Sequence, residues 1–312
     1  RDSDHLPALH LASGMGHAGV VRRLLAEGED QIAVVDRFGQ SCVMHAAAEG
    51  RSEVVKLLLG TKRGGELALR GVDALGQSVL LKACKYGHLE CVKAVLSHGG
   101  TKLLEQSDYG GLTSLHLGVP FKRLVRYLLD RPGGSKLVRV RDLWGQTALH
   151  RAFGLGCEES ARLMLEVAGS MDVVLDVDND GSSILHHASF MGNTRMIRLI
   201  VDDVWGRHSN ASDLTARLFG LRDNVGRTCL HMAAARGHLA AARAIFSTRG
   251  GAGESIIGAK DADGYTVMHH AAWGGSPDIV SLLLDHEGGK QLINQVGCYG
   301  VTPMHQACGY GM

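Results

Sequence analysis

The chain carries seventeen histidines and seven cysteines in 312 residues, enough to raise metal binding or acid–base catalysis. Their arrangement points away from both. His186-His187 and His269-His270 are consecutive, and neighbours on a helix point about 100° apart, which makes them poor joint ligands. The cysteines are odd in number and scattered, with neither a CxxC site nor a disulfide frame. Cys42, Cys84, Cys229 and Cys308 fall in slots suited to small buried residues. Gly14-Met15-Gly16-His17-Ala18-Gly19 is a literal G-x-G-x-x-G, but such a loop holds a dinucleotide only when it follows a strand and opens a helix. Here it follows the helix-like Leu9-His10-Leu11-Ala12. Neither a G-x-x-x-x-G-K-[ST] phosphate loop nor a G-x-S-x-G elbow occurs. Asn210-Ala211-Ser212 fits a glycosylation acceptor, yet no charged-then-apolar leader opens the sequence. The expectation is no catalytic residue, no metal and no cofactor.

What the histidines share is a register. One slot recurs at His10, Met44, Leu81, His116, His150, His186, His231, His269 and His305, in steps of 34, 37, 35, 34, 36, 45, 38 and 36 residues. Around it returns a phrase of glycine, Thr or Ser, an aliphatic residue, the slot residue and a pair of alanines, seen best in Gly145-Gln146-Thr147-Ala148-Leu149-His150 and Gly226-Arg227-Thr228-Cys229-Leu230-His231. A period of this length means a stacked array.

The elements that position the slot follow from its neighbours. Asp followed by Gly, as in Asp36-Arg37-Phe38-Gly39 and Asp261-Ala262-Asp263-Gly264, suits a turn that needs positive φ. The hydroxyl two residues later can cap a helix, and Pro303 after Thr302 fits a first helical turn. That helix is short, with small pairs such as Ala233-Ala234 and Ala271-Ala272, and stops at Gly16, Gly50, Gly87, Gly156, Gly192, Gly237 or Gly275. A second helix carries bulky aliphatics, as in Val54-Val55-Lys56-Leu57-Leu58-Leu59. Neither helix can bury its apolar face alone, so each must stack on the next repeat. The 42 glycines, against a usual share of roughly 7%, serve largely as this punctuation.

The phrase resembles the ankyrin repeat, D-x-x-G-x-T-P-L-H-x-A-A-x-x-G-H, which residues 223–238 match almost slot for slot. The resemblance runs from about Asp4 to Met312. It implies an all-α solenoid of stacked helix-turn-helix units with short β-hairpin fingers. It also implies a single array over 1–312, with repeats near 1–35, 36–72, 73–107, 108–141, 142–177, 178–222, 223–260, 261–296 and a truncated 297–312. It implies further that the slot histidines tie hairpin to helix by hydrogen bonding. Three more histidines, His17, His88 and His238, follow the helix-ending glycine.

Three departures stand out. The fourth repeat reads His116-Leu117-Gly118-Val119-Pro120-Phe121, lacks the alanine pair, and must end or kink its first helix at Pro120. The sixth repeat is about ten residues long in its exit segment, 202–221, which predicts a loop or an extended second helix. Gly64-Gly65, Gly99-Gly100, Gly133-Gly134 and Gly288-Gly289 replace the family's G-A-D-V-N and predict a helix cap, an extra turn and an apolar pair tucked under the next hairpin.

In the ankyrin family, partners are gripped by finger tips and by the exposed side of the first helix. The corresponding slots hold Phe38, Tyr86, Tyr109, Trp144, Phe190, Tyr265, Trp273, Tyr299 and Tyr310, nine of the fifteen aromatics, with Arg236 among the charged companions. Exposed aromatics are typical interface anchors. The expected function is a non-catalytic scaffold that binds a protein or peptide in a concave groove. The alternative is a regulatory or targeting arm of a larger enzyme or channel. A net charge of +1 gives no basic footprint for nucleic acid, no stretch is apolar enough to span a membrane, and no small-molecule substrate is expected. The thiols suggest a reducing compartment, the cytoplasm with the nucleus left open. The chain starts at Arg1, and its last phrase stops after one helix, so it is expected to be a piece of a longer protein.

Overall fold

The computed structural model describes residues 7–28, 30–169, 171–204, 211–248 and 251–309. Six of the fingers are shown closed by an aspartate. Asp36 Oδ1 accepts the backbone N–H groups of Phe38 and Gln40, both at 2.8 Å, and Asp73, Asp108, Asp178, Asp223 and Asp261 repeat the pattern two and four residues on. This is the Asx turn that a short carboxylate makes with its own backbone. The paired extended segments are minimal, isolated bridges such as Val35–Ser41 and Val177–Ser183. The turn glycines sit at φ of 71° to 80° from Gly39 to Gly300. They are needed twice over: a Cβ on Gly111 or Gly226 would also press on the backbone of the next finger.

The chain forms two compact units that divide between Leu143 and Trp144. The first stacks the helix pairs Ala8–Met15 and Ala18–Glu27, Cys42–Ala48 and Ser52–Leu59, Val79–Lys85 and Leu89–Gly99, and Ser114–Gly118 and Lys122–Leu129. First helices pack on first helices and second on second, over a core that includes Val43, Leu58, Leu80 and Leu128. The second unit stacks Ala148–Leu155 and Glu158–Ala168, Ile184–Phe190 and Thr194–Arg198, Cys229–Ala235 and Leu239–Phe246, and Val267–Trp273 and Pro277–Asp285, followed by Pro303–Gly309. Each unit is therefore the all-α stack of hairpins that the repeat predicts. All seven predicted stop glycines lie at positive φ, from 59° to 81°.

Fingers are joined by one backbone bond each. The residue after the aspartate donates to the residue before the glycine of the preceding finger: Ala74 to Phe38 at 2.9 Å and Tyr109 to Leu75 at 3.0 Å in the first unit, Asn224 to Asp180 and Ala262 to Val225 at 2.8 Å in the second. With the backbone so committed, the side chain before the glycine points away from the stack.

The departures resolve individually. Pro120 ends the fourth first-helix after five residues, and Phe121 lies flush on Gly87. In its sisters the equivalent residue makes a polar link instead: His88 Nε2 to Ala48 O at 2.9 Å, His238 Nε2 to Phe190 O at 3.1 Å. The sixth second-helix continues as a π-helical stretch, Leu199–Val204, and a further helix, Ala211–Gly220, follows. Gly100 caps its helix as predicted, Gly133 and Gly288 instead open the extra 3-10 turns at left-handed φ, and Leu103–Leu104 and Leu137–Val138 are buried within such turns. Gly64-Gly65 differs. It opens a full α-helix, Lys62–Arg70, because Thr61 Oγ1 caps it by accepting Gly64 N–H at 3.0 Å. Ile293, the second apolar residue after Gly288-Gly289, is exposed rather than tucked in.

The cysteines also divide. Cys42, Cys84, Cys91 and Cys229 are buried, and burial pushes the Cys42 and Cys229 thiols up to about 12. Cys157 and Cys298 are half-buried, and Cys308, in the helix Pro303–Gly309, is exposed rather than buried as its slot suggested.

Candidate functional site

The slot histidines are structural ties. Thr147 N–H donates to His150 Nδ1 at 3.2 Å, which leaves Nε2 as the donor to the Asp176 carbonyl at 3.1 Å. His186 reaches Arg227 O at 2.9 Å and His269 reaches Val301 O at 3.0 Å, each from one repeat to the base of the next finger. Ser183 and Thr266 hold the Nδ1 atoms of these two as Thr147 does. The Nε2–H tautomer is thereby fixed. Burial lowers the pKa of His10, His186 and His269, and burial together with the nearby His270 takes His231 down to about 3. His10, His186 and His269 are neutral hydrogen-bonding struts, not proton shuttles, whereas His231 is held at Nδ1 by the Thr228 N–H and its buried Nε2 has no partner among the described residues.

A second set escaped the sequence reading. His45, His187 and His270 each donate Nε2–H to the finger aspartate nine residues earlier: Asp36 at 2.9 Å, Asp178 at 2.8 Å and Asp261 at 2.8 Å. Lys82 takes the same place against Asp73 at 2.7 Å, with both side chains nearly buried. The recurrent Asp-x8-His/Lys spacing is the signal that could have revealed it. The two sets meet edge-on, His10 with His45, His150 with His187 and His231 with His270, at ring separations of 5.1 to 5.6 Å. The consecutive pairs are thus split, one ring tied to the next repeat and one to its own finger. Among the described residues, no three His, Cys, Asp or Glu side chains converge as a metal site requires.

The aromatic slots are mostly outward. In the first unit Phe38, Tyr86 and Tyr109 are exposed, with the Arg37 guanidinium 4.7 Å over Phe38 and Lys85 5.7 Å from Tyr86. In the second, Trp144 is 58% exposed, Trp273 45% and Phe190 37%, the last stacked under Arg236 at 4.0 Å. Tyr299 is 99% exposed on a backbone at φ 57°, the single non-glycine residue at positive φ among those described. Tyr265 is different. Its ring lies against Gly297, and its hydroxyl meets Cys298 Sγ at 3.0 Å, so it is half-buried between fingers. Tyr310 lies outside the described residues.

These residues do not form one cluster. Phe190, Tyr265 and Trp273 line two successive grooves of the second unit, of about 480 and 360 Å³, which share Met232. The first is floored by His150, His187, Leu155 and Met191, and the second by His269, His270 and Ala235. Phe38, Tyr86, Tyr109, Trp144 and Tyr299 lie outside both grooves. Among the described residues, no helix is long and apolar enough to cross a membrane.

Comparison with known proteins agrees with this geometry. The family model described as ankyrin repeats (3 copies) matches residues 1–70, 65–140, 123–213, 207–292 and 252–312. The B-cell lymphoma 3 protein homolog of Mus musculus is 30% identical over 141 residues, 44% of this chain and 28% of that protein. The transient receptor potential cation channel subfamily A member 1 of Homo sapiens is 25% identical over 288 residues, 91% of this chain and 21% of that protein. The chain therefore spans less than a third of either relative. Among solved structures, the ankyrin repeat domain of Bcl-3, described as a unique member of the IkappaB protein family, matches with a TM-score of 0.55 at 24% identity over 74% of this chain and 95% of that one.

Proposed function

Because the chain belongs to the ankyrin-repeat family, a family of protein-interaction modules, we propose that its nine repeats serve as a non-catalytic scaffold gripping one protein partner along the fingers and first helices. The observation that carries this reading is the pair of adjoining grooves in the second unit, lined by Phe190, Met191, Met232 and Trp273, with Arg236 stacked over Phe190. A large aromatic that is half exposed and held on a rigid helix loses little freedom on binding, which is what an interface anchor needs. Trp144 and Tyr299, on fingers, would extend the contact, and Phe38, Tyr86 and Tyr109 are candidate anchors on the first unit by themselves. Tyr265 lines the second groove and is itself held by its contact with the next finger. The free thiols fit a reducing compartment such as the cytoplasm.

The test is site-specific photo-crosslinking in the source cells, with the photoreactive side chain at Trp273 or at the outer-helix residue Asp285. A discrete adduct from position 273 but not 285, lost in a Trp144→Ala/Phe190→Ala background of equal thermal stability, supports the reading. Adducts from 285 alone would sink it. A second reading, an arm of a larger protein, is favoured by the 288-residue match to a cation-channel subunit of which this chain covers 21%. The full open reading frame decides it.

A further inference from the structure

The fourth repeat concentrates charge that the chain as a whole does not. Residues 122–141 hold seven Lys or Arg and one acid, Asp130, in a protein of net charge +1. The fold presents these residues on two adjoining elements. Helix Lys122–Leu129 buries Leu124, Val125, Leu128 and Leu129 and leaves Arg123 and Arg126 exposed. Gly133 turns the chain at φ 85°, and Gly134 lies so close to the Leu128 carbonyl that no Cβ would fit. The 3-10 turn Gly134–Arg139 then packs on that helix with Leu137 and Val138 inward. Lys136 and Arg139 are three residues apart, eclipsed in a 3-10 turn, and both exposed. Among the described residues, the side chains of Arg123, Arg126, Lys136 and Arg139 make no ion pair or hydrogen bond.

We propose that this edge docks an acidic polypeptide segment, an extended run of Asp and Glu on a partner protein, as a second interaction surface separate from the aromatic grooves. Charge complementarity is the first argument: four uncommitted cations on a tightly fixed scaffold, three of them guanidiniums that match carboxylates bidentately. Size is the second. Each element is about 12 Å long, the reach of roughly four extended residues. A bilayer is disfavoured because no large apolar side chain between residues 110 and 142 is exposed for insertion. A nucleic acid is disfavoured because the one aromatic ring on these two elements, Tyr127, is already engaged by Arg131 at 4.5 Å and Lys93 at 5.9 Å, which competes with base stacking.

The test is fluorescence anisotropy of the whole 312-residue chain with a labelled decapeptide of alternating Glu and Asp, beside phosphatidylserine vesicles and a single-stranded DNA 12-mer. The expected result is salt-sensitive peptide binding, weakened about tenfold or more by Arg123→Glu/Arg126→Glu/Lys136→Glu/Arg139→Glu and less by replacing the three arginines with lysine. Unchanged thermal melting checks that the reversed surface still folds. Trp144→Ala/Trp273→Ala should leave peptide affinity intact, so a failure here is separable from a failure of the groove. Peptide binding indifferent to the charge reversal overturns the proposal, as does tighter binding to vesicles or DNA.

Discussion

His187 donates its Nε2 proton to Asp178 Oδ2 at 2.8 Å, across nine residues of sequence, while Asp178 Oδ1 accepts the backbone of Asp180 and Ser182. One carboxylate thus locks the finger and ties it to the helix behind. The His187→Ala change should cost about 1–2 kcal/mol, because a hydrogen bond to a charged group is lost in a half-buried site. Urea unfolding measures it. A loss no larger than that of an exposed control, such as Glu166→Ala, would deny the tie its role.

Lys82 and Asp73 pose a sharper case, since both side chains are nearly buried. Lys82→Met strands the carboxylate and should destabilise by about 3–5 kcal/mol. Lys82→His should recover most of this, because a histidine fills the same slot at His45, His187 and His270. If the histidine variant is no better than the methionine, the slots are not equivalent.

Acid should weaken the fold in two stages. Burial chiefly, and the neighbouring His270, hold His231 near 3 when folded, whereas a free histidine titrates near 6.5. Below 6.5 the unfolded chain therefore binds more protons, so the stability is complete above that pH and is lost as the pH falls. At pH 5 His231 alone should account for about 2 kcal/mol, and His10, His186 and His269 shift in the same direction. Asp36, Asp73 and Asp178 act later. Burial raises each of them, but hydrogen bonds from backbone amides and from His45, Lys82 or His187 outweigh it, so all three lie below 3.8. Their contribution is present above that value and lost as the pH falls through the folded values. Tm measured from pH 7.5 to 3 should show both limbs, and His231→Gln should flatten the first only.

Adjacent glycines separate two causes. Gly133 has open space where a Cβ would go and only its left-handed φ to satisfy, so Gly133→Ala should cost about 1 kcal/mol. Gly134 has no such φ but faces the Leu128 carbonyl, and Gly134→Ala should cost more, about 2–3 kcal/mol, through a forced backbone shift. Equal melting temperatures for the two variants would refute the distinction.

The fold was legible because its determinants are local and recur. Asp, Gly, Thr and the stop glycine each act within a few residues, so their spacing carried the fingers and first helices directly. Gly64-Gly65 misled because a pair of glycines does not say whether Thr61 will cap a helix before them. The aromatic slots were legible as slots but not as a site. Tyr265 belongs to the set by position, yet Gly297 leaves room for its ring between fingers, a contact 32 residues away. The Asp-x8-His tie went unread because its partners lie on different elements, and neither residue alone departs from its ordinary role.

The inter-repeat tie has a consequence for how such a chain can change. His186 and His269 end on backbone carbonyls, of Arg227 and Val301, and finger joins to finger through backbone as well. Where the tie is made, the socket is a main-chain carbonyl, the same whatever side chains surround it. Within a unit, a duplicated or deleted repeat meets a fitting neighbour at once, with no compensating substitution, and surface residues such as Trp273 or Arg236 remain at liberty to diverge. The repeats are interchangeable parts whose couplings are written in main chain and whose meaning is written in what they leave outside.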